Sequence, residues 1–175
     1  MSTLEIIKVP DPLLREVSAP VEVFDARLQK LIADMLETMY DAPGIGLAAV
    51  QVAVPRRLLV IDTAKPSEET PSPIAMINPE IVEIVGDDIR AHEEGCLSIP
   101  DVYAEIERPA CVRVVYQDAT GARKEMLAEG IMSTVVQHEI DHLNGKLFID
   151  YLSRLRRDRI VKKMIKAKRD AEAAV

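Results

Sequence analysis

The chain has 175 residues, 48% of them hydrophobic and 29% charged, which suits one globular domain with its own core and excludes a disordered or low-complexity polymer. No apolar run approaches the roughly 18–20 residues of a membrane-spanning helix, and two cysteines exclude a disulfide framework. The net charge of −7 is uneven: residues 154–169 carry nine Lys/Arg against Asp158, a net +8 that leaves −15 elsewhere, so an acidic body and a basic tail should do different jobs.

Residues 1–8 lack the charged-then-apolar pattern of an export signal, so a reducing compartment is expected, with each cysteine a core filler, a nucleophile or a ligand. Pro10, Pro12 and Pro20 forbid a long helix over residues 4–24. Asp25 is the expected N-cap of a helix reaching about Tyr40, whose Leu28, Leu31, Ile32, Met35 and Met39 keep helical spacing and give one buried face. Asp41-Ala42-Pro43-Gly44 ends it. The following Gly44-Ile45-Gly46-Leu47-Ala48-Ala49-Val50-Gln51 is either a tight turn or a loop that lets backbone approach a ligand. It lacks the third glycine and preceding strand of a dinucleotide fingerprint. Gln51, a polar amide between two valines, needs partners if buried, and its NH2 can donate to a substrate oxygen.

Arg57 to Asp62 is expected as a strand and residues 63–73 as an exposed loop. Ile74 to Val85 should be extended but broken at Asn78-Pro79, with a turn at Gly86-Asp87-Asp88. The stretch around His92 is polar and expected to be exposed, and the backbone around Cys96 irregular. Tyr103 to Glu107, Cys111 to Gln117 and Arg123 to Glu129 are expected strands, and Cys111 is expected to pack in the core. Gly130 and Gly145 bracket a helix, and a last helix runs from its N-cap Ser153 toward Ala171. In the bland reading this basic helix is a solvated face with Ile160, Val161, Met164 and Ile165 packed inward. The order helix, strands, helix, helix predicts one α+β domain over residues 1–175: antiparallel sheets packed around a central helix, with a C-terminal helix.

The bracketed helix carries Gln137-His138-Glu139-Ile140-Asp141-His142. Histidines four apart on a helix present both imidazoles on one face, one turn apart, and can hold one metal ion with Glu139 beside it. Ile131, Val135 and Leu143 form an apolar stripe next to them, so the ion would face the interior. A catalytic site of this type wants a third protein ligand. The candidates are His92, Cys111, Cys96 and the carboxylates, and taken alone Cys96 reads as a buried thiol. Asp141 is expected to pair with Arg108 and lock the helix to the sheet.

Three stretches, Gly44-Ile45-Gly46-Leu47-Ala48-Ala49-Val50-Gln51, Glu94-Gly95-Cys96-Leu97-Ser98 and Gln137-His138-Glu139-Ile140-Asp141-His142, resemble in order the three signature motifs of the peptide deformylase family. The resemblance extends from Pro10-Asp11-Pro12-Leu13-Leu14-Arg15 to Phe148-Ile149-Asp150-Tyr151-Leu152. It implies a metal held by Cys96, His138 and His142, with Fe2+ native and Zn2+, Ni2+ or Co2+ as substitutes. It implies removal of the formyl group from formyl-methionine on nascent polypeptides: water activated by the ion attacks the formyl carbon, and Glu139 is general base and acid. It further implies that Gln51 and the Leu97 N–H stabilise the oxyanion, and that Ile45, Gly46, Glu94 and Val135 contact substrate. A monomer in the bacterial cytoplasm is expected, its basic C-terminal helix docking on the ribosome. Two departures stand out: Tyr103 occupies a place where the family often has arginine, near the peptide channel, and Val50 one where threonine is frequent. Two rival readings are a metallopeptidase, which shares His-Glu-x-x-His, and a metal-storage or RNA-binding protein. No histidine lies beyond His142 to complete many such peptidase sites, and a storage site has no use for Glu139 and Gln51.

Overall fold

The computed structural model describes residues 2–175. Helix α1 spans Ala26–Asp41, α2 Gly130–Leu143 and α3 Arg154–Ala173. The strands are β1 Gly46–Ala48, β2 Leu58–Ile61, β3 Ile74–Ile84, β4 Ile89–Cys96, β5 Ile99–Pro109, β6 Cys111–Gln117 and β7 Arg123–Glu129. An antiparallel five-stranded sheet has the order β1-β2-β3-β6-β7, and β4-β5 forms a separate antiparallel pair. The expected α+β architecture is therefore what the chain adopts.

Period-two alternation explains how β2 serves two layers. Leu58 and Val60 pack with Leu28, Ile32, Met35 and Met39 of α1, whereas Leu59 and Ile61 pack with Val135, Val136, Ile140 and Leu143 of α2. All four strand residues are fully buried, so β2 lies between helices on both faces. Helix α2 is thus central, with the large sheet on one side and β4-β5 on another. Residues Ile160 and Met164 of α3 close a third cluster with Ile99, Ile106, Phe148 and Ile149. The inward face expected of α3 is narrower than predicted, because Ile165 stays 39% exposed.

The expected caps form as chemistry demands. The Asp25 carboxylate accepts from the Leu28 N–H, and the Ser153 hydroxyl from the Arg156 N–H, each satisfying an orphan donor of the first turn. Gly145 has φ +74 and lies against the Arg15 backbone, where a side chain would not fit.

Three expectations are corrected. Strand β3 runs through Asn78-Pro79 without breaking, because the disruption is absorbed as a register shift between Ile77 and Glu80. Asn78 adopts φ +51, and its amide bonds Val21 N, Val21 O and Gln117 Oε1. The stretch around His92, expected to be exposed, forms strand β4 with His92 half-buried. Its alternation was hidden because the inward residues Arg90, His92 and Glu94 are polar. Cys111 is half-exposed at the start of β6 instead of lying in the core.

Candidate metal centre

The central helix delivers two imidazoles. His138 and His142 sit one turn apart, 8% and 1% exposed, their ring centroids 5.1 Å apart. Val136, Ile140 and Leu143 hold the opposite side of α2 on the sheet, which fixes the rotation that turns the histidines toward β4. Strand β4 ends at Cys96, and a register shift between Gly95 and Cys96 swings the thiol off the regular ladder. One ligand atom from each of Cys96, His138 and His142 lies within 4.8 Å of the others, and Cys96 Sγ is 3.3 Å from His142 Nε2. A thiolate and two imidazoles from separate elements therefore converge, as a three-ligand site requires.

The electrostatics fit a cation. Burial disfavours a charged His138 ring, yet the neighbouring Cys96 and Glu94 outweigh it and hold its pKa well above the ordinary value. Burial, with His138 and Arg108 adding to it, holds His142 well below, as a neutral imidazole suited to ligation. The spot attracts positive charge, and its soft sulfur and borderline nitrogens suit a divalent transition metal.

Behind His138 runs a connected polar chain. His138 Nδ1 lies 2.8 Å from Glu94 Oε1, which leaves Nε2 to face the centre. Arg108 donates through Nε and Nη2 to the Glu94 carboxylate at 2.6 and 2.9 Å, and through Nη1 to Asp141 at 2.9 Å. The Tyr151 hydroxyl donates to the same Asp141 oxygen at 2.7 Å, and the guanidinium lies 4.8 Å from the Tyr151 ring centre. Burial alone would push the Glu94 carboxyl up, but His138 and Arg108 reverse this and hold it below the ordinary range. The expected Asp141–Arg108 pair is present. Glu94 also lines the cleft described below, and its carboxylate is held by Arg108 and His138, because a buried charge needs these partners.

Glu139 lines the same cleft as His138. It is 4% exposed, and its Oε2 has no hydrogen-bond partner among the described residues. Burial pushes its carboxyl up to about 7, against the lowering effect of His138 and with Glu94 adding to the rise. Gly46 makes room for it: a Cβ there would sit 2.7 Å from Glu139 Oε1 and 2.9 Å from Val135 Cγ1. Only glycine lets β1 approach so closely. Gln51 is 1% exposed; its Oε1 accepts from Ala48 N–H, and its Nε2 donates to Ser98 Oγ at 3.1 Å and lies 3.5 Å from Cys96 Sγ.

A cleft of about 410 Å³ opens beside these groups, lined among others by Ile45, Gly46, Gln51, Leu97, Val135 and Glu139. All the predicted site residues except the buried His142 line this cavity, with Ile45 44% exposed. Tyr103 also lines it, its ring lying over Gly95 across the β4-β5 pair. Sequence reasoning missed three contributors: the bond from Gln51 to Ser98, the second arm of Arg108 to Glu94, and the place of His92 on the cleft wall. The alternating polar residues of β4 were the signal for the last two.

The polypeptide deformylase family model matches residues 3–158. The peptide deformylase of Mesorhizobium japonicum is 61% identical, covering 94% of this chain and 93% of its own. That of Agrobacterium fabrum is 56% identical over 97% and 98%. The crystal structure of peptide deformylase from Ehrlichia chaffeensis superposes with TM-score 0.90 at 40% identity, covering 97% of this chain and 99% of that one. The enzyme from Legionella pneumophila gives 0.87 at 45%, covering 98% of each. Agreement of motif order, backbone and sequence along almost the full length leaves one conclusion: this chain belongs to the peptide deformylase family.

Proposed function

We propose that the chain hydrolyses the formamide of an N-formyl-methionyl nascent polypeptide, releasing formate and a free α-amine, with residues 1–175 acting as one catalytic domain. The observation that carries this is the convergence of Cys96, His138 and His142 donor atoms within 4.8 Å beside a buried Glu139 oxygen with no partner. When bound, the divalent ion, Fe2+ in this reading with Zn2+, Ni2+ or Co2+ as substitutes, supplies the Lewis acidity that lowers the pKa of water toward about 7.

Glu139 moves the proton. A carboxyl pushed up to about 7 takes a proton from water and returns it to the leaving amine at neutral pH. Gln51 Nε2 and the Leu97 backbone N–H donate to the oxygen on which charge develops, and loss of one such donor costs about 2.7–4 kcal/mol of barrier. β1 is an edge strand, so Gly46 offers free backbone to a substrate peptide lying alongside as an added strand. Ile45, Val135 and the edge of His138 take the methionine side chain. Glu94 serves the site by orienting His138. In this reading the protein works as a monomer in the bacterial cytoplasm, and α3 docks on ribosomal RNA through its lysines and arginines. A truncation after Tyr151 that bound ribosomes with an undiminished salt slope would remove that docking role.

The deciding experiment offers formylated and unformylated methionyl peptides to protein purified without oxygen, with metal analysis of the same sample. Formate release from the first alone, about one metal per chain, and loss of turnover at equal metal content in Glu139→Ala are expected. Cleavage of the unformylated peptide would instead indicate a peptidase.

A further inference from the structure

The wall of the cleft carries two polar side chains that the deformylation steps leave unused. In β4, Arg90, His92 and Glu94 occupy one face by alternation. Two points tie that row to α2. Glu94 Oε1 is 2.8 Å from His138 Nδ1, and Arg90 Nη1 is 3.4 Å from where a Cβ on Gly130 would lie. Four strand residues rise about 13 Å and eight helical residues about 12 Å, so the two elements run in step. His92, midway along one interval, is therefore level with Thr134, midway along the other, and both line the cleft.

Thr134 is 4% exposed. Its neighbours Ser133 and Gln137 donate to the Pro109 carbonyl, whereas its own hydroxyl makes no hydrogen bond among the described residues. The half-buried His92 ring makes none either. Ile45, Ile131 and Val135 supply the apolar part of the same cavity. Both groups open onto the cavity, so a ligand that displaces water from it must supply the acceptor that these two donors would otherwise lose. A methionine thioether is a poor acceptor. Its sulfoxide has the same length and carries a strong acceptor oxygen on the sulfur.

We propose that this pocket also takes oxidised methionine: the Thr134 hydroxyl and a His92 ring N–H donate to the sulfoxide oxygen, so formyl-methionine-sulfoxide peptides are deformylated too. The sulfoxide itself is unchanged, and the bond broken is the same formamide. This rests on the deformylase reading above. An all-apolar pocket discriminates against an added polar group by about a hundredfold. A pocket with two donors does not.

The test compares kcat/KM for formyl-Met-Ala-Ser and formyl-Met(O)-Ala-Ser in the metal-loaded protein. The sulfoxide peptide should run within about tenfold of the thioether peptide. In Thr134→Val the ratio of sulfoxide to thioether rates should fall about tenfold, His92→Leu should lower it as well, and Thr134→Ser should restore it. Because each ratio is taken within one preparation, partial loss of folded protein cancels. Failure on both peptides would reject the deformylase reading itself. Normal turnover of the thioether peptide with a hundredfold deficit on the sulfoxide, or an unchanged ratio in Thr134→Val, would overturn the pocket proposal alone.

Discussion

Replacing Arg108 by methionine removes the hub of the chain behind His138. The Arg108 side chain is 3% exposed, Glu94 4% and Asp141 16%, so the two carboxylates would lose their counter-ion under unequal conditions. Asp141 keeps the Tyr151 hydroxyl and some solvent, whereas Glu94 keeps only His138. Stripping one partner from a buried pair costs about 3–5 kcal/mol, a large part of the roughly 5–15 kcal/mol that holds a domain folded. Methionine fills much of the vacated stem, so the loss should reflect charge more than packing. The assay is urea unfolding of metal-free protein, which keeps ion binding out of the comparison. Arg108→Met should lose about 3–5 kcal/mol, and Arg108→Met with Glu94→Gln should recover more than half of it. Arg108→Lys should fall between, since one ammonium cannot span both Glu94 oxygens and Asp141. A single Arg108→Met variant within about 1 kcal/mol of the parent, or a double variant no better than the single, would refute this account of the chain.

Three further outcomes follow from other parts of the structure. Gly46→Ala should displace Glu139, because the new Cβ would lie 2.7 Å from its Oε1; turnover should fall about a hundredfold while bound metal, measured by elemental analysis, stays the same. Burial raises the Asp150 carboxyl, but Arg15 and the Leu147 N–H outweigh it, and its pKa sits below the ordinary carboxylate value. That contribution is present above the unfolded carboxylate pKa and is lost as pH falls through the lower folded value. The gap in urea midpoint between the parent and Asp150→Asn should therefore be constant from about pH 5 to 7 and close below about pH 4. Finally, thiolate ligation by Cys96 makes the iron form oxidisable. Activity followed in air should decay quickly with iron and slowly with nickel, and an iron form that held full activity for hours would speak against the Cys96 ligand.

The site was legible in unequal parts. His138 and His142 could be read as a pair because helical geometry sets their spacing locally, and Gly145 and the caps Asp25 and Ser153 announced themselves by the same local rules. The third ligand was different. Among His92, Cys111 and Cys96, no local rule chose the last, and the resemblance of three motifs did so. The structure adds the means, a register shift that carries Cys96 out of the β4-β5 ladder and next to His142. Glu94 was placed near substrate by the resemblance alone, and only packing revealed that its carboxylate is held by Arg108 and His138.

The amino-acid order by itself determined what repeats along the chain at short range: which segments are helical, where they start, which faces are apolar, and that two imidazoles share one turn. It also located the acidic body and basic tail. Tertiary structure alone decided which distant groups meet: the thiol with the two rings, the arginine with two carboxylates, the glycine with Glu139, and His92 with the level of Thr134. The physical reason is range. Backbone dihedrals and side-chain periodicity act over a few residues, whereas contacts between β4 and α2 depend on strand register and on how three hydrophobic clusters settle against one another.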